Sequence, residues 1–271
     1  MPYFTPKQFL STATLPSLPD VAASLLSLLD QDEPDFVRVE YVIKKDPAIA
    51  AAVMRQANSA RFGLVTKVSS IGNALQVIGS SNLRSIALGT SIAASMPACA
   101  AVDKRVVVKY CEVHASIASD IAYQAGGDRN MAWLAGFICR LGELLMCQVD
   151  PEAALLIEKS PIAPAQRWQR QHHHFGFAEG AVMAELASSW NFPDQVVSAL
   201  AECANPMSSE YPFRKISGAT HVAGIMADAI CLGLPSTTVT AYLGVDVLDA
   251  LSLSQESVLT NYCAHATISL E

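Results

Sequence analysis

With 271 residues, 51% of them apolar and 16% charged, the chain has ample apolar surface for a buried core and is excluded from the disordered class. A net charge of −7 argues against a protein whose main work is neutralising nucleic-acid phosphates or anionic lipid heads. Residues 1–100 carry 8 Lys/Arg against 7 Asp/Glu and residues 101–271 carry 10 against 18, so the acidity belongs to the C-terminal part.

No stretch alternates apolar and polar residues long enough to form a convincing strand, whereas Val21, Leu25, Leu28 and Leu29 recur at helical spacing behind Asp20, an N-cap residue. This predicts a first helix over Pro19–Leu29. Asp35 caps a second helix with Val37, Tyr41 and Ile43, and Asp46-Pro47 opens a third with Ile49, Val53, Met54 and Ala57. That helix stops near Asn58-Ser59. Gly63 and the Thr66 to Ser70 stretch supply turn chemistry before Ser70 caps Ile71, Ala74, Leu75 and Ile78, and a further helix follows Gly79-Ser80-Ser81. After a break at Met96-Pro97 the chain restarts at Asp103 and runs to Gly126-Gly127. Later helices are expected over Arg129–Cys147, Pro151–Lys159, Pro164–His173, Phe177–Trp190, Pro193–Ala204 and Phe213–Leu232, with two or three short ones beyond. The reading is all-α, in two helical parts of residues 1–98 and 103–271 that pack through an apolar interface.

The longest uncharged stretch, Ser85 to Val102, contains Ser, Thr, Gly and Pro97 and predicts no membrane span. The N-terminus lacks a basic region followed by an apolar run, so a cytoplasmic location is expected. Seven cysteines (99, 111, 139, 147, 203, 231, 263) include no CxxC pair, and reduced thiols are the expectation.

Five ordered segments, Leu15-Pro16-Ser17-Leu18-Pro19, Ile43 to Ala50, Ala57-Asn58-Ser59-Ala60-Arg61-Phe62-Gly63, Val68 to Ile71 and Ala74 to Gly79, strongly resemble the HDOD (HD-related output domain) family. The likeness continues through Trp190-Asn191-Phe192-Pro193 and spans roughly residues 12 to 235. The resemblance implies an HD-like helical bundle preceded by a helical N-terminal subdomain, related to HD and HD-GYP phosphohydrolases, and a role in bacterial signalling. The chain is expected to act as a stand-alone module.

An HD hydrolase needs a His, an adjacent His-Asp pair and a later Asp, so that imidazoles and carboxylates converge on a metal ion that activates water. The resemblance places the first His at His114. It puts Cys139-Arg140 at the His-Asp pair, Gly224 at the late Asp, Glu179 at a His before Trp190, and Cys203 near a later His pair. Arginine stays protonated and offers no lone pair to a cation. No catalytic residue, metal or cofactor is therefore expected, although HD ancestry keeps a metal-dependent phosphohydrolase acting on a nucleotide or cyclic dinucleotide as an alternative. A zinc site of His114, Cys139 and Cys203 is a second alternative, set against the preferred reading of two small buried thiols and a hydrogen-bonded core histidine.

Arg140 requires a carboxylate partner, solvent or an anion, with Glu143 and Glu179 the expected partners. As an anion contact it would make the vacated position the pocket of a small-molecule sensor. His172-His173-His174 reads as a solvated turn, because adjacent helical residues point about 100° apart. His221 reads as a core histidine. Ser59, Ser69 and Ser70 read as caps and turns, and Gly63, Gly72 and Gly79 are too dispersed for a phosphate loop. Asn58, Ser59, Arg61, Phe62 and Gly63 carry the strongest family signal. Their chemistry favours a structural role, with a partner-binding surface as the alternative. The expected function is a non-catalytic regulatory module that binds signalling proteins.

Overall fold

The computed structural model describes residues 5–17, 19–29, 35–59, 62, 66–159, 163–210 and 213–269. They form helices α1 (Pro6–Leu10), α2 (Asp20–Leu29), α3 (Phe36–Lys44), α4 (Pro47–Ala57), α5 (Ile71–Ile78), α6 (Ser80–Ser95), α7 (Lys104–Gln124), α8 (Arg129–Cys139) and α9 (Gly142–Val149). These are followed by α10 (Pro151–Ile157), α11 (Gln166–Phe175), α12 (Glu179–Ser189), α13 (Asp194–Ala201), α14 (Arg214–Cys231), α15 (Ser236–Thr240), α16 (Val245–Leu251) and α17 (Gln255–Ser269). No strand occurs among the described residues. The chain divides into two compact units, Pro16–Met96 and a larger one combining Met1–Leu15 with Pro97–Glu271.

In the smaller unit the caps act where the sequence places them: Asp35, Asp46 and Ser70 accept from the first free backbone N–H groups of α3, α4 and α5. Helix α6 packs on α2 and α4, and α5 packs on α3 and α4. The apolar stripe of α5 is buried, Leu75 at 3% exposure and Ile78 at 2%. Asn58 closes α4 and clamps the chain beyond it. Its Nδ2 donates to the carbonyls of Met54 and Val68, both at 3.0 Å, and its Oδ1 accepts from the Val68 amide at 2.7 Å. Ser59 donates to the Gln56 carbonyl and Phe62 is half-buried. Arg61 and Gly63, the other members of that motif, lie outside the described residues.

In the larger unit α7 is the central helix, packed on α8 and α14, while α12 and α13 pack on each other and on α8. The short helix α1 was not legible in the sequence. It is held by a capping box between Thr5 and Gln8. Phe9 sits edge-on to Phe175 and Phe177, with ring centroids 5.7 and 5.5 Å away, which places the helix in the larger unit and not in the N-terminal part read from the sequence. Asn191, at φ 55°, adopts the left-handed conformation that Asn tolerates and ends α12.

Two expectations are corrected. The single helix read over Arg129–Cys147 is interrupted at Arg140-Leu141, where α8 ends and α9 begins. Here the chain passes so close to α12 that a Cβ on Gly142 would lie 2.2 Å from the Glu179 carbonyl oxygen, and only glycine permits the approach. Cys99 and Cys147 are not reduced thiols. They form a disulfide, with Cα atoms 6.1 Å apart, because the segment after Met96 folds back on α9 across 48 residues of sequence. The one stretch among the described residues long and apolar enough to cross a membrane, Arg129–Val149, has 89% of its most apolar window buried inside the fold.

Candidate functional site

Helix α7 supplies Tyr110 and His114 one turn apart, α11 supplies Arg167, Trp168 and Gln171 on one face, and α14 supplies Thr220, Gly224 and Asp228 at successive turns. Cys139 ends α8 with Arg140 next to it, Glu179 opens α12, and Cys203 follows α13. The fold brings all of them together in the interior.

The cluster is a network of buried ion pairs. Arg140 donates through Nε to Glu143 at 2.8 Å and through Nη2 to Glu158 at 2.9 Å. Arg167, 2% exposed, donates through Nε to both oxygens of Glu179 at 3.1 and 3.2 Å, through Nη1 to Asp228 at 2.7 Å, and through Nη2 to the Tyr110 hydroxyl at 3.1 Å. Glu179 also accepts from the Trp168 indole at 3.1 Å and the Gln171 amide at 2.7 Å. Its own backbone N–H donates to Gln171 Oε1 at 2.9 Å. Every contact of this carboxylate is therefore with a donor, which is what a fully buried charge requires. Tyr110 donates to the Gly224 carbonyl at 3.1 Å, and its ring lies 4.4 Å from the Arg140 guanidinium and 4.8 Å from that of Arg167.

His114 is the position best suited to a ligand. Its Nε2 lies 2.8 Å from the Thr220 carbonyl, which only accepts, so Nε2 carries the hydrogen and Nδ1 keeps a bare lone pair that is buried without a hydrogen-bond partner. Burial pushes its pKa down to about 4, so the ring is neutral near pH 7. The surroundings do not fit a metal. A Cβ on Gly224 would stand 2.6 Å from Trp168 Cη2, so the indole occupies the space that an aspartate there would need. Cys139 and Cys203, with sulfurs 3.5 Å apart, are both fully buried. The contact with Cys203 and burial hold the Cys139 thiol well above its usual pKa. Among the described residues no three His, Cys, Asp or Glu side chains are arranged to hold an ion. The zinc set of His114, Cys139 and Cys203 is thus not assembled, and two guanidinium groups stand beside the position.

The profile of the HDOD domain matches residues 15–206. This chain belongs to the HDOD family. No curated protein matches it. Among solved structures, a candidate phosphohydrolase from Shewanella amazonensis SB2B is 22% identical over 95% of each chain, with a TM-score of 0.71. An HDOD domain protein of unknown function from Geobacter sulfurreducens is 18% identical over 98% of this chain and 94% of its own, with a TM-score of 0.73. A candidate signal transduction protein from Marinobacter aquaeolei VT8 is 22% identical with a TM-score of 0.66, and this chain covers 95% of itself but only 60% of that longer protein. At these identities the likeness shows the fold.

For this HDOD protein the expected Arg140–Glu143 pair is present, with Glu158 as a further partner. The pairing of Arg140 with Glu179 is not, because Arg167 takes that carboxylate. With Nε and Nη2 of Arg140 already on carboxylates, an incoming anion would meet Glu143 and Glu158 as well. Arg167, Tyr110 and Asp228 were missed in the sequence. A signal existed in Arg167, Trp168 and Gln171, which share one face of a predicted helix at i, i+1 and i+4. His221 is half-buried: its Nδ1 donates to the Cys203 carbonyl at 2.7 Å and Trp168 stacks on the ring. His172, His173 and His174 are exposed on the last turn of α11.

Burial pushes the Glu143 carboxyl up to about 7 against the opposing pull of Arg140. A carboxyl whose folded pKa is raised keeps its proton longer in the native state, so its contribution to stability is full at low pH and declines as pH rises from about 4.3, the unfolded value, to about 7. His114 works in the opposite direction, since a depressed imidazole pKa makes stability rise between about 4 and 6.5. The difference between wild type and Glu143→Gln isolates the first group. The thermal midpoint of the variant relative to wild type is expected to rise between pH 5 and pH 7.5, and a pH-independent difference would show that Glu143 is ionised throughout.

Proposed function

We propose that this HDOD protein is a non-catalytic cytoplasmic signalling module that acts by binding protein partners. The observation that carries the reading is the replacement of an HD-type ligand set by an Arg140–Glu143–Glu158 and Arg167–Glu179–Asp228 ion-pair network, in which two guanidinium groups stand where the ion would sit and His114 is the one imidazole. A water-activating cation would have to enter beside two guanidinium ions and compete with them for the Glu143, Glu158, Glu179 and Asp228 carboxylates. Desolvation of the ion without compensating donors opposes that strongly. The network holds α7, α9, α11, α12 and α14 together, which suits a rigid platform whose function lies on its surface.

Elemental analysis of the purified full chain, with hydrolysis of phosphomonoesters and cyclic dinucleotides assayed in Mn²⁺ or Mg²⁺, tests the reading. The expected result is substoichiometric metal and no metal-dependent turnover, in wild type and in Arg140→Asp alike, because Cys139 and Gly224 still leave the ligand set incomplete. Metal-dependent hydrolysis abolished by His114→Ala would replace this proposal with a phosphohydrolase.

A further inference from the structure

The larger unit begins, after Met96, with a non-helical segment that is fastened in an unusual way. Residues 97–103 lie outside any helix, and among the described residues no backbone N–H or C=O of 97–102 is hydrogen-bonded to another backbone group. Ala98 and Ala100 are exposed, Cys99 is half-exposed, and Val102 is buried. The covalent attachment is the disulfide from Cys99 to Cys147, the latter fully buried on α9 one turn beyond Glu143. The Cα separation of 6.1 Å lies within the range that a disulfide bridges without backbone movement.

We propose that Pro97–Val102 is a redox-operated strap, locked onto α9 by the Cys99–Cys147 disulfide and released when that bond is reduced. Reduction consumes two electrons and two protons, supplied by a dithiol reductant of the thioredoxin class that is itself oxidised to a disulfide. Its thiolate attacks the accessible Cys99 sulfur, and Cys147 leaves as a thiolate that takes up a proton; the second reductant thiol then frees Cys99. A peroxide-class oxidant reverses the process, converting two thiols to the disulfide with release of two water molecules.

Release has a geometric consequence because the strap is where the chain passes from the smaller unit to the larger. With the bond intact, only Pro97 and Ala98 separate Met96 from the anchored Cys99. With it broken, the free span runs on to Val102 and its reach roughly doubles, at about 3.3–3.6 Å per residue. No backbone ladder replaces the lost bond, so the buried Val102 and the weak contact of the Cys99 thiol with the Cys147 carbonyl, at 3.4 Å, are what remain. The redox state thereby sets how much of the segment after Met96 is fastened to α9, whether or not the protein is catalytic.

The test uses the full chain treated with hydrogen peroxide or with dithiothreitol. Peptide mapping without reductant is expected to find Cys99 joined to Cys147 after peroxide and both alkylated after dithiothreitol. Cleavage of the native chain by elastase after Ala98, Ala100 or Ala101 is expected to quicken at least tenfold on reduction, with α7 and α14 still resistant, and Cys99→Ser should be cut at the fast rate under both conditions. The absence of a linked peptide after peroxide would overturn the proposal. So would equal cleavage of the segment in both states, or a loss of resistance throughout α7 and α14 on reduction, which would make the bond a staple of the whole unit.

Discussion

Replacing Arg167 by alanine is expected to destabilise the larger unit by about 3–5 kcal/mol, the magnitude found when one partner of a buried ion pair is removed. The substitution leaves Glu179 and Asp228 facing each other's surroundings without their common cation. Glu179 retains Trp168 and Gln171 as donors, and Asp228 retains the Ala165 amide at 2.9 Å. Those neutral dipoles do not compensate two carboxylates in a dry interior. The loss should shrink as pH falls, because protonated carboxyls no longer need the guanidinium. A triple variant, Arg167→Met with Glu179→Gln and Asp228→Asn, should lose less than the single one, since removing all the charges together leaves none uncompensated. Urea unfolding of the three proteins measures this, and a loss below about 1 kcal/mol for Arg167→Ala would mean that water reaches the carboxylates.

Truncating Leu75 to alanine is expected to cost about 2–5 kcal/mol in the smaller unit. Leu75 is 3% exposed and shares its buried face with Ile71, Ala74 and Ile78. The deletion removes apolar contact and leaves a cavity that α3, α4 and α6 close only in part. Because the two units need not unfold together, the readout is native-state hydrogen exchange of α4, α5 and α6 alongside urea unfolding. A change below about 1 kcal/mol would show that this face of α5 is not the core.

These two residues mark the limit of what was legible in advance. Leu75 could be read from its neighbours, because helical periodicity and a serine cap are written within eight residues. The same holds for Asp46-Pro47 and for Asn58, whose stop of α4 is a local side-chain bond. The Arg140–Glu143 pair was legible for the same reason, being three residues apart. The break at Arg140-Leu141 was not, because Gly142 matters through a carbonyl of α12, an element brought there by the fold.

The sequence by itself determined an all-helical chain, the caps that start its helices and membership of the HDOD family. All of these rest on residue chemistry or on spacing within a few turns. Only the tertiary structure decided what fills the site: that Arg167 and not Arg140 takes Glu179, that Asp228 completes the pair from 61 residues away, and that Trp168 stands over Gly224. It also decided that Cys99 meets Cys147 across 48 residues. A buried charge or thiol selects its partner by proximity in the dry interior, and that proximity is fixed by helix packing, for which single-chain periodicity carries no record.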